Sequence, residues 1–211
     1  ADVHKEVASS ALNSLLIKCI FCLCEEKFSS DIAAYRTLIT YSDLREPHDW
    51  YPLARLMRRK IIFHAGPTNS GKTYHALQRL RNADPSFGGG IYCGPLRLLA
   101  LEVYEQLNRQ GVYCDLITGQ EKRELPSSTH VSCTVEIVRT NREYDVGVID
   151  EIQMISDPQR GHAWTKAVLG LPARELHLCG GVEALSIIKN IAEHTGDELE
   201  VRSYERMAEL R

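Results

Sequence analysis

The octapeptide Gly66-Pro67-Thr68-Asn69-Ser70-Gly71-Lys72-Thr73 constrains this chain more than any other stretch. It meets the phosphate-binding pattern G-x-x-x-x-G-K-[ST] at every fixed position. A polyphosphate has to be held by many donors at close range. Glycines at both ends of the loop remove the side chains that would keep the backbone off the anion. The loop N–H groups and the N-terminus of the following helix then face the phosphates. Lys72 adds a point charge near the outer phosphates, and Thr73 offers a hydroxyl to a magnesium ion. The flanks supply the required setting. Lys60-Ile61-Ile62-Phe63-His64 reads as a short strand, and Ala76, Leu77 and Leu80 recur at helical spacing after the loop.

A second element completes such a site. Val146-Gly147-Val148-Ile149 is an apolar, β-rich run that ends in Asp150-Glu151-Ile152-Gln153. A buried strand with acids at its tip is what a Walker B element needs. Asp150 can hold Mg²⁺ directly or through water, and Glu151 can orient or activate the water that attacks a γ-phosphate. Asp-Glu after an apolar run is common on its own; it gains meaning from the loop upstream. An acid beside the magnesium carboxylate also favours an ATPase motor over transfer of phosphate to a small molecule.

The chain has 211 residues, 44% of them hydrophobic and 25% charged, as in an ordinary globular protein. A net charge of −3 gives no global basic signature of nucleic-acid binding, so any such binding uses a local surface. The seven cysteines are odd in number and scattered through apolar runs, which argues for reduced thiols. Cys19, Cys22 and Cys24 lack a second Cys/His pair at a zinc spacing and read as buried helix thiols. No run is long and apolar enough to span a membrane, and no partner membrane is expected. The chain begins at Ala1 without a basic, Ser-rich targeting segment, and reads as an excised fragment, which leaves room for a transit peptide removed with the rest.

Residues 1–58 read as a small helical N-terminal region. Val7, Ala11, Leu12, Leu15, Leu16, Cys19 and Ile20 recur at helical spacing, Asp31–Leu38 suggests a short helix, and Trp50–Arg59 a helical lead-in. The basic run Arg55, Arg58, Arg59, Lys60 reads as a solvated helix face, with RNA contact as the other reading. Residues 59–211 alternate strand and helix. Strands are expected at 61–64, 90–93, 114–118, 130–134, 145–149, 175–179 and 199–203, and helices at 71–82, 96–110, 164–170 and 182–194. The expected fold class is α/β: a mostly parallel sheet with helices on both faces, ligands binding at the carboxyl ends of the strands.

These motifs together resemble superfamily 2 helicases, and more closely the mitochondrial degradosome RNA helicases. The resemblance is carried by Asp43–Pro47 with Trp50-Tyr51-Pro52, Gly66–Tyr74, Tyr92–Ala100, His130–Glu136, Asp150–Met154, Arg160–Thr165 and His177–Gly180, and spans about residues 43–207. Leu116–Lys122 and Gly161–Trp164 look most like plant members. The resemblance implies a RecA-like P-loop NTPase domain and ATP- and Mg²⁺-dependent unwinding of RNA in RNA decay, with an exoribonuclease as partner. It implies a mitochondrial location, leaving nucleus or plastid open. Gly66 to Thr73 would bind the nucleotide, Thr73 and Asp150 the metal, and Lys72, Glu151 and Gln153 would act in catalysis. Pro95, Leu96, Arg97, Thr118, Gly119 and Thr134 would hold the nucleic-acid backbone, a set that suits sequence-independent tracking. A second RecA-like domain, with its arginine finger, would lie outside this chain, so the chain alone is expected to turn over ATP slowly.

The sequence departs from the family pattern at two places. His177-Leu178-Cys179-Gly180 stands where many helicases have Ser-Ala-Thr, so a coupling hydroxyl is missing, and Gly181-Val182-Glu183 lacks a proline. Two alternatives remain beside the helicase. A thymidine-kinase-like nucleoside kinase also pairs such a loop with Asp-Glu-x-Gln, though it normally carries a later Cys-x-x-Cys zinc ribbon, absent here. A non-catalytic RNA- or partner-binding module would not need Lys72, Thr73, Asp150 and Glu151 intact.

Overall fold

The computed structural model describes residues 13, 15–20, 22, 23, 26–42, 45–67 and 70–206. The chain divides into two compact units, Ala1–Glu46 and Pro47–Arg211. In the first unit the helix expected at Asp31–Leu38 is present and longer, as α1 (Ser29–Ser42). Leu15, Leu16, Cys19 and Ile20 are helical too, whereas Val7, Ala11 and Leu12 lie outside the described residues. Cys19 and Cys22 are free and exposed rather than buried, and Cys24 lies outside the described residues. Leu15, Leu16 and Ile20 are exposed along with them, so the part of the periodic stripe among the described residues is uncovered. None of the described helices is long and apolar enough to cross a membrane.

The second unit opens with a 3₁₀ turn (Pro47–Trp50) and α2 (Pro52–Leu56), then alternates β1 (Lys60–Ala65), α3 (Lys72–Arg81), β2 (Gly90–Gly94), α4 (Arg97–Arg109) and β3 (Cys114–Ile117). There follow β4 (Lys122–Arg123), β5 (His130–Thr134), β6 (Tyr144–Ile149), α5 (Gly161–Gly170), β7 (Ala173–Gly180), α6 (Leu185–Thr195) and β8 (Glu198–Ser203). These form one 8-stranded sheet in the order β4-β3-β5-β2-β6-β7-β1-β8. Every described pairing is parallel except β3 with β4. Successive residues of a strand face opposite sides. Ile91 and Cys93 therefore join a core with Trp164 and Ala167 of α5 and Ile188 of α6, while Tyr92 joins another with Ala76 and Leu80 of α3 and Val103 of α4. Helices cover both faces, and β6 is buried along its whole length, as its unbroken apolar run requires.

The differences from the expected elements have local causes. The two-residue strand β4 is exposed on both residues and offers no alternation to read; the turn Thr118–Glu121, closed by Thr118 N–H to Glu121 O at 2.8 Å, folds it back on β3. Helix α5 begins at Gly161, before the expected Trp164, and the close approach of Ile155 O, 2.4 Å from where a Cβ would sit, calls for glycine at that start. The helix expected from Val182 starts as a 3₁₀ turn (Val182–Ala184) before α6. Pro47–Arg58, grouped by the sequence with the N-terminal region, pack in the unit of the sheet.

The basic run is not a solvated face. Arg59 is buried, and its guanidinium donates to Val168 O and Leu171 O, each at 3.0 Å, capping the carbonyl end of α5. It also pairs with Asp197 just past α6, through Nε to Oδ1 at 3.0 Å. Lys60 pairs with Glu198 and Glu200. Arg55 donates to Thr195 O at 3.0 Å and Leu169 O at 3.1 Å. Arg58 alone of the four stays exposed.

Removing one partner from a buried ion pair costs about 3–5 kcal/mol when the other is left uncompensated; Asp197 would keep Arg55 at 3.8 Å and the Thr195 hydroxyl at 2.6 Å, so that figure is an upper bound. Arg59→Met is therefore expected to lower the free energy of unfolding by up to that amount, read as a lower urea midpoint at an unchanged slope; an unchanged midpoint would show that the clamp between α5 and Asp197 does not hold the unit together.

Candidate active site

Strand β1 ends at Ala65, and Gly66 N–H donates to Gly180 O at 3.1 Å, so the phosphate loop leaves the sheet tied to the end of β7. A Cβ on Gly66 would come within 2.8 Å of Ser70 Oγ and 3.0 Å of Tyr204 backbone O. Gly71 has φ 78°, the left-handed conformation that turns the chain into α3. Lys72 is buried and its ammonium donates to Pro67 O at 3.1 Å, so it points into the loop. Ser70 is buried with a hydroxyl that has no hydrogen-bond partner among the described residues, a donor left open inside the loop. Thr68 and Asn69 lie outside the described residues.

The acidic tip arrives from the other side of β7. Asp150 N–H donates to Cys93 O at 3.1 Å, which continues the register of β6 with β2. The Asp150 carboxylate is buried and accepts from Tyr92 hydroxyl at 3.1 Å, from Glu151 N–H at 3.0 Å and from Thr73 Oγ1 at 3.4 Å. The last contact spans 77 positions of sequence and brings the loop and the strand tip together. Burial is the largest influence on Asp150 and raises its pKa; the bonds from Glu151 N–H and Tyr92 act in the opposite direction. A hydroxyl and a carboxylate form a hard-oxygen donor pair, which suits Mg²⁺ carried by phosphates rather than caged by protein. With the open Ser70 hydroxyl and the inward-turned ammonium, the residues fit a magnesium–triphosphate group.

Glu151 has φ 50° and ψ 49°, a left-handed conformation that costs a non-glycine residue about 1–3 kcal/mol. It bends the chain from β6 into the 3₁₀ turn Ile152–Ser156. Gln153 Nε2 donates to Glu151 Oε2, and Gln153 Oε1 accepts from Gly181 N–H at 3.2 Å. The link to the end of β7 that the missing hydroxyl put in question is thus made by a backbone N–H. Gly180 leaves room for it, since a Cβ there would lie 2.4 Å from Gln153 Oε1. The Cys179 thiol is buried on the opposite face, 4.0 Å from Lys72 O, and desolvation raises its pKa well above the ordinary thiol value. Lys72, Glu151, Gln153, Gly181 and Glu183 line a cavity of about 340 Å³. Glu183 was not among the expected residues; its only sequence signal is its place two positions after Gly181. A second cavity of about 290 Å³, bordered by Val131, Arg139 and Arg142, contains none of the site residues.

The residues expected to hold nucleic acid lie on one edge. Pro95–Arg97 follow β2, Thr134 ends β5 and Thr118-Gly119 follow β3, which are neighbouring strands; Gly94 is in register with Thr134 and Ile117 with Cys133. Their surfaces differ from the expectation in part. Leu96, Arg97 and Gly119 are exposed, and Arg97 pairs with the Gln120 side chain. Pro95 and Thr118 are buried. The Thr118 hydroxyl accepts from Glu121 N–H at 3.0 Å, so it shapes the turn that displays Gly119. Helix α4 has no side-chain cap, which leaves its first N–H groups toward this edge.

A parallel sheet with a phosphate loop after β1 and an acidic pair after β6 is the architecture of a RecA-like P-loop NTPase domain. The fold is shared with a DEAD box protein from Methanococcus jannaschii, at a TM-score of 0.53 and 18% identity, over 72% of this chain and 47% of that one. Residues 47–204 match the DEXQ-box helicase domain of Suv3, and the chain belongs to that family. It is 53% identical over 187 residues to the mitochondrial DExH-box ATP-dependent RNA helicase DExH18 of Arabidopsis thaliana, covering 89% of this chain and 24% of that protein. It is 49% identical to the mitochondrial ATP-dependent RNA helicase SUV3L of Oryza sativa subsp. japonica, over 94% of this chain and 26% of the relative. The mitochondrial ATP-dependent RNA helicase SUPV3L1 of Homo sapiens is 54% identical over 80% of this chain and 22% of its own length. The chain thus spans about a quarter of the length of these relatives. Family membership decides between the helicase and the nucleoside kinase in favour of the former.

The buried carboxylate sets an expectation. The folded pKa of Asp150 lies above its unfolded value of 3.8, so ionising it costs stability, and that cost is fully present above the folded pKa. At pH 7, Asp150→Asn should raise the melting temperature of the ligand-free protein, by about 2–4 °C for each kcal/mol relieved in a domain of this size. A lowered melting temperature would contradict a desolvated charge at this position.

Proposed function

We propose that this chain is the nucleotide-binding half of a mitochondrial ATP-dependent RNA helicase that couples ATP hydrolysis to unwinding of RNA duplexes in RNA decay, alongside an exoribonuclease. The observation that carries the reading is the 3.4 Å contact of Thr73 with Asp150, which joins the two halves of the site. The motor function is assigned to the sheet unit, residues 59–211 together with Pro47–Arg58, and an accessory role to the helical region before it. The names of the relatives support the ATP, RNA and mitochondrial parts of the proposal.

Each residue has a chemical task in this reading. The backbone from Gly66 to Gly71 and the Lys72 ammonium bind the phosphates, Lys72 by exchanging its bond to Pro67 O for the anion. Thr73 and Asp150 hold Mg²⁺, which when bound offsets phosphate charge as it builds in the transition state. Glu151 accepts the proton of the attacking water. Gln153 holds the Glu151 carboxylate and, through Gly181, ties it to β7. The exposed Leu96, Arg97 and Gly119, with Thr134, receive the RNA backbone, while Pro95 and Thr118 shape that edge. This half alone hydrolyses ATP slowly, because an arginine supplied by a second motor domain contributes about 10³–10⁵ in rate.

The test is the ATPase of the full-length protein with and without single-stranded RNA. RNA is expected to stimulate turnover, and Glu151→Gln to lower kcat by about 10²–10⁴ with little change in KM. An ATPase indifferent to RNA would remove the helicase reading; a Glu151→Gln variant with normal kcat would remove the role of that residue.

A further inference from the structure

Arg160 is not among the residues that the sequence marks for the site, yet it touches the strand-end edge directly and, through Trp164, a neighbour of Asp150. It sits in the turn between the 3₁₀ segment Ile152–Ser156 and α5. Asp157 Oδ1 accepts from Gln159 N–H at 2.9 Å and Arg160 N–H at 2.7 Å, and Gly161 packs where a Cβ would meet Ile155 O, so the turn has one shape. From that turn Nη2 donates to Pro95 O at 2.7 Å. Nε and Nη2 donate to Glu136 Oε1 at 3.1 and 2.6 Å. The guanidinium also lies 5.2 Å from the centre of the Trp164 ring. Trp164 is fully buried, and its indole N–H donates to Asp150 O at 2.9 Å.

One cation therefore joins two adjacent strand ends and rests on the ring that fixes the backbone of the metal-binding residue. Pro95 immediately precedes Leu96 and Arg97, and Glu136 lies two positions past Thr134, so each contact sits beside a residue assigned to RNA. Stability does not account for the arrangement. The Arg160 and Glu136 side chains are each 39% exposed, and ion pairs that open to solvent contribute little to folding. What the planar fork supplies is geometry: it holds a carbonyl and a carboxylate of different elements at fixed separation, with its charge 5.2 Å from the centre of an indole ring.

We infer that Arg160 is a positioning residue that couples RNA on the strand-end edge to the acid pair at Asp150 and Glu151. The inference rests on the helicase reading above. RNA on the edge fixes Pro95 and the Thr134–Glu136 turn together. Arg160 passes that restraint to Trp164, and Trp164 passes it to the Asp150 carbonyl and the strained turn at Glu151. Coupling of this kind is reciprocal, so nucleotide in the site tightens RNA on the edge by the same factor.

The experiment measures the affinity of full-length protein for a fluorescent single-stranded RNA, with and without a non-hydrolysable Mg·ATP analogue. The readout is the ratio of the two affinities, which cancels any general weakening of the edge. Wild type is expected to show a ratio within the usual coupling range of about 5–150-fold. In Arg160→Ala the ratio falls to near one. In Arg160→Lys it falls as far, because an ammonium keeps the charge without the fork. Glu136→Gln, which keeps an acceptor and a folded turn, gives an intermediate ratio. A wild-type ratio in Arg160→Ala, with both affinities lowered equally, would make Arg160 a support of the edge alone and overturn the inference. Full rescue by Arg160→Lys, or a wild-type ratio in Glu136→Gln, would overturn it as well. A wild-type protein whose RNA affinity ignores nucleotide and whose ATPase ignores RNA would instead remove the helicase reading itself.

Discussion

The site is organised around one carboxylate, that of Asp150, held out of water at the tip of β6. An isolated ionised carboxylate is costly to bury, and the surroundings of Asp150 are arranged against that cost. Tyr92, the Glu151 N–H and Thr73 donate to it, and Trp164 holds its carbonyl. Those donors come from β2, the turn after β6, the phosphate loop and α5, so one group collects elements from both faces of the sheet. The arrangement is poised rather than relaxed: desolvation still raises the Asp150 pKa, which leaves a site where a cation lowers the energy of the whole cluster.

Strand order explains why two distant motifs meet. β7 lies between β6 and β1, and the loop after β1 crosses its carboxyl end, tied there by Gly66 N–H to Gly180 O. The end of β7 then has to be narrow. Gly180 admits Gln153 and Gly181 offers its N–H to it, so a backbone donor ties the Gln153 side chain to the end of β7. Cys179, next to that glycine pair, packs on the opposite face.

Much of this was legible in the sequence. Val146-Gly147-Val148-Ile149 announced a strand buried on both sides, and the alternation after it fixed a parallel α/β sheet, because those patterns are local. The two motifs at Gly66–Thr73 and Asp150–Gln153 marked the site, since their spacing is local as well. What stayed hidden depends on contacts between distant residues. Arg59 reads as part of a charged face until the carbonyl end of α5 is placed over it. Nothing within Arg160–Trp164 shows that its guanidinium and indole lie between Pro95 and Asp150. Thr118 looks like a surface donor, and only the turn to β4 reveals that its hydroxyl is already engaged.

The most direct test of the account is calorimetric titration of a non-hydrolysable ATP analogue into the protein, with magnesium and with a chelator. If Thr73 and Asp150 hold the metal against the phosphates, magnesium should tighten binding at least about tenfold, roughly 1.4 kcal/mol, and Asp150→Asn should abolish that difference. Equal affinity with and without magnesium, or a magnesium effect that survives in Asp150→Asn, would contradict the cluster on which the site is built.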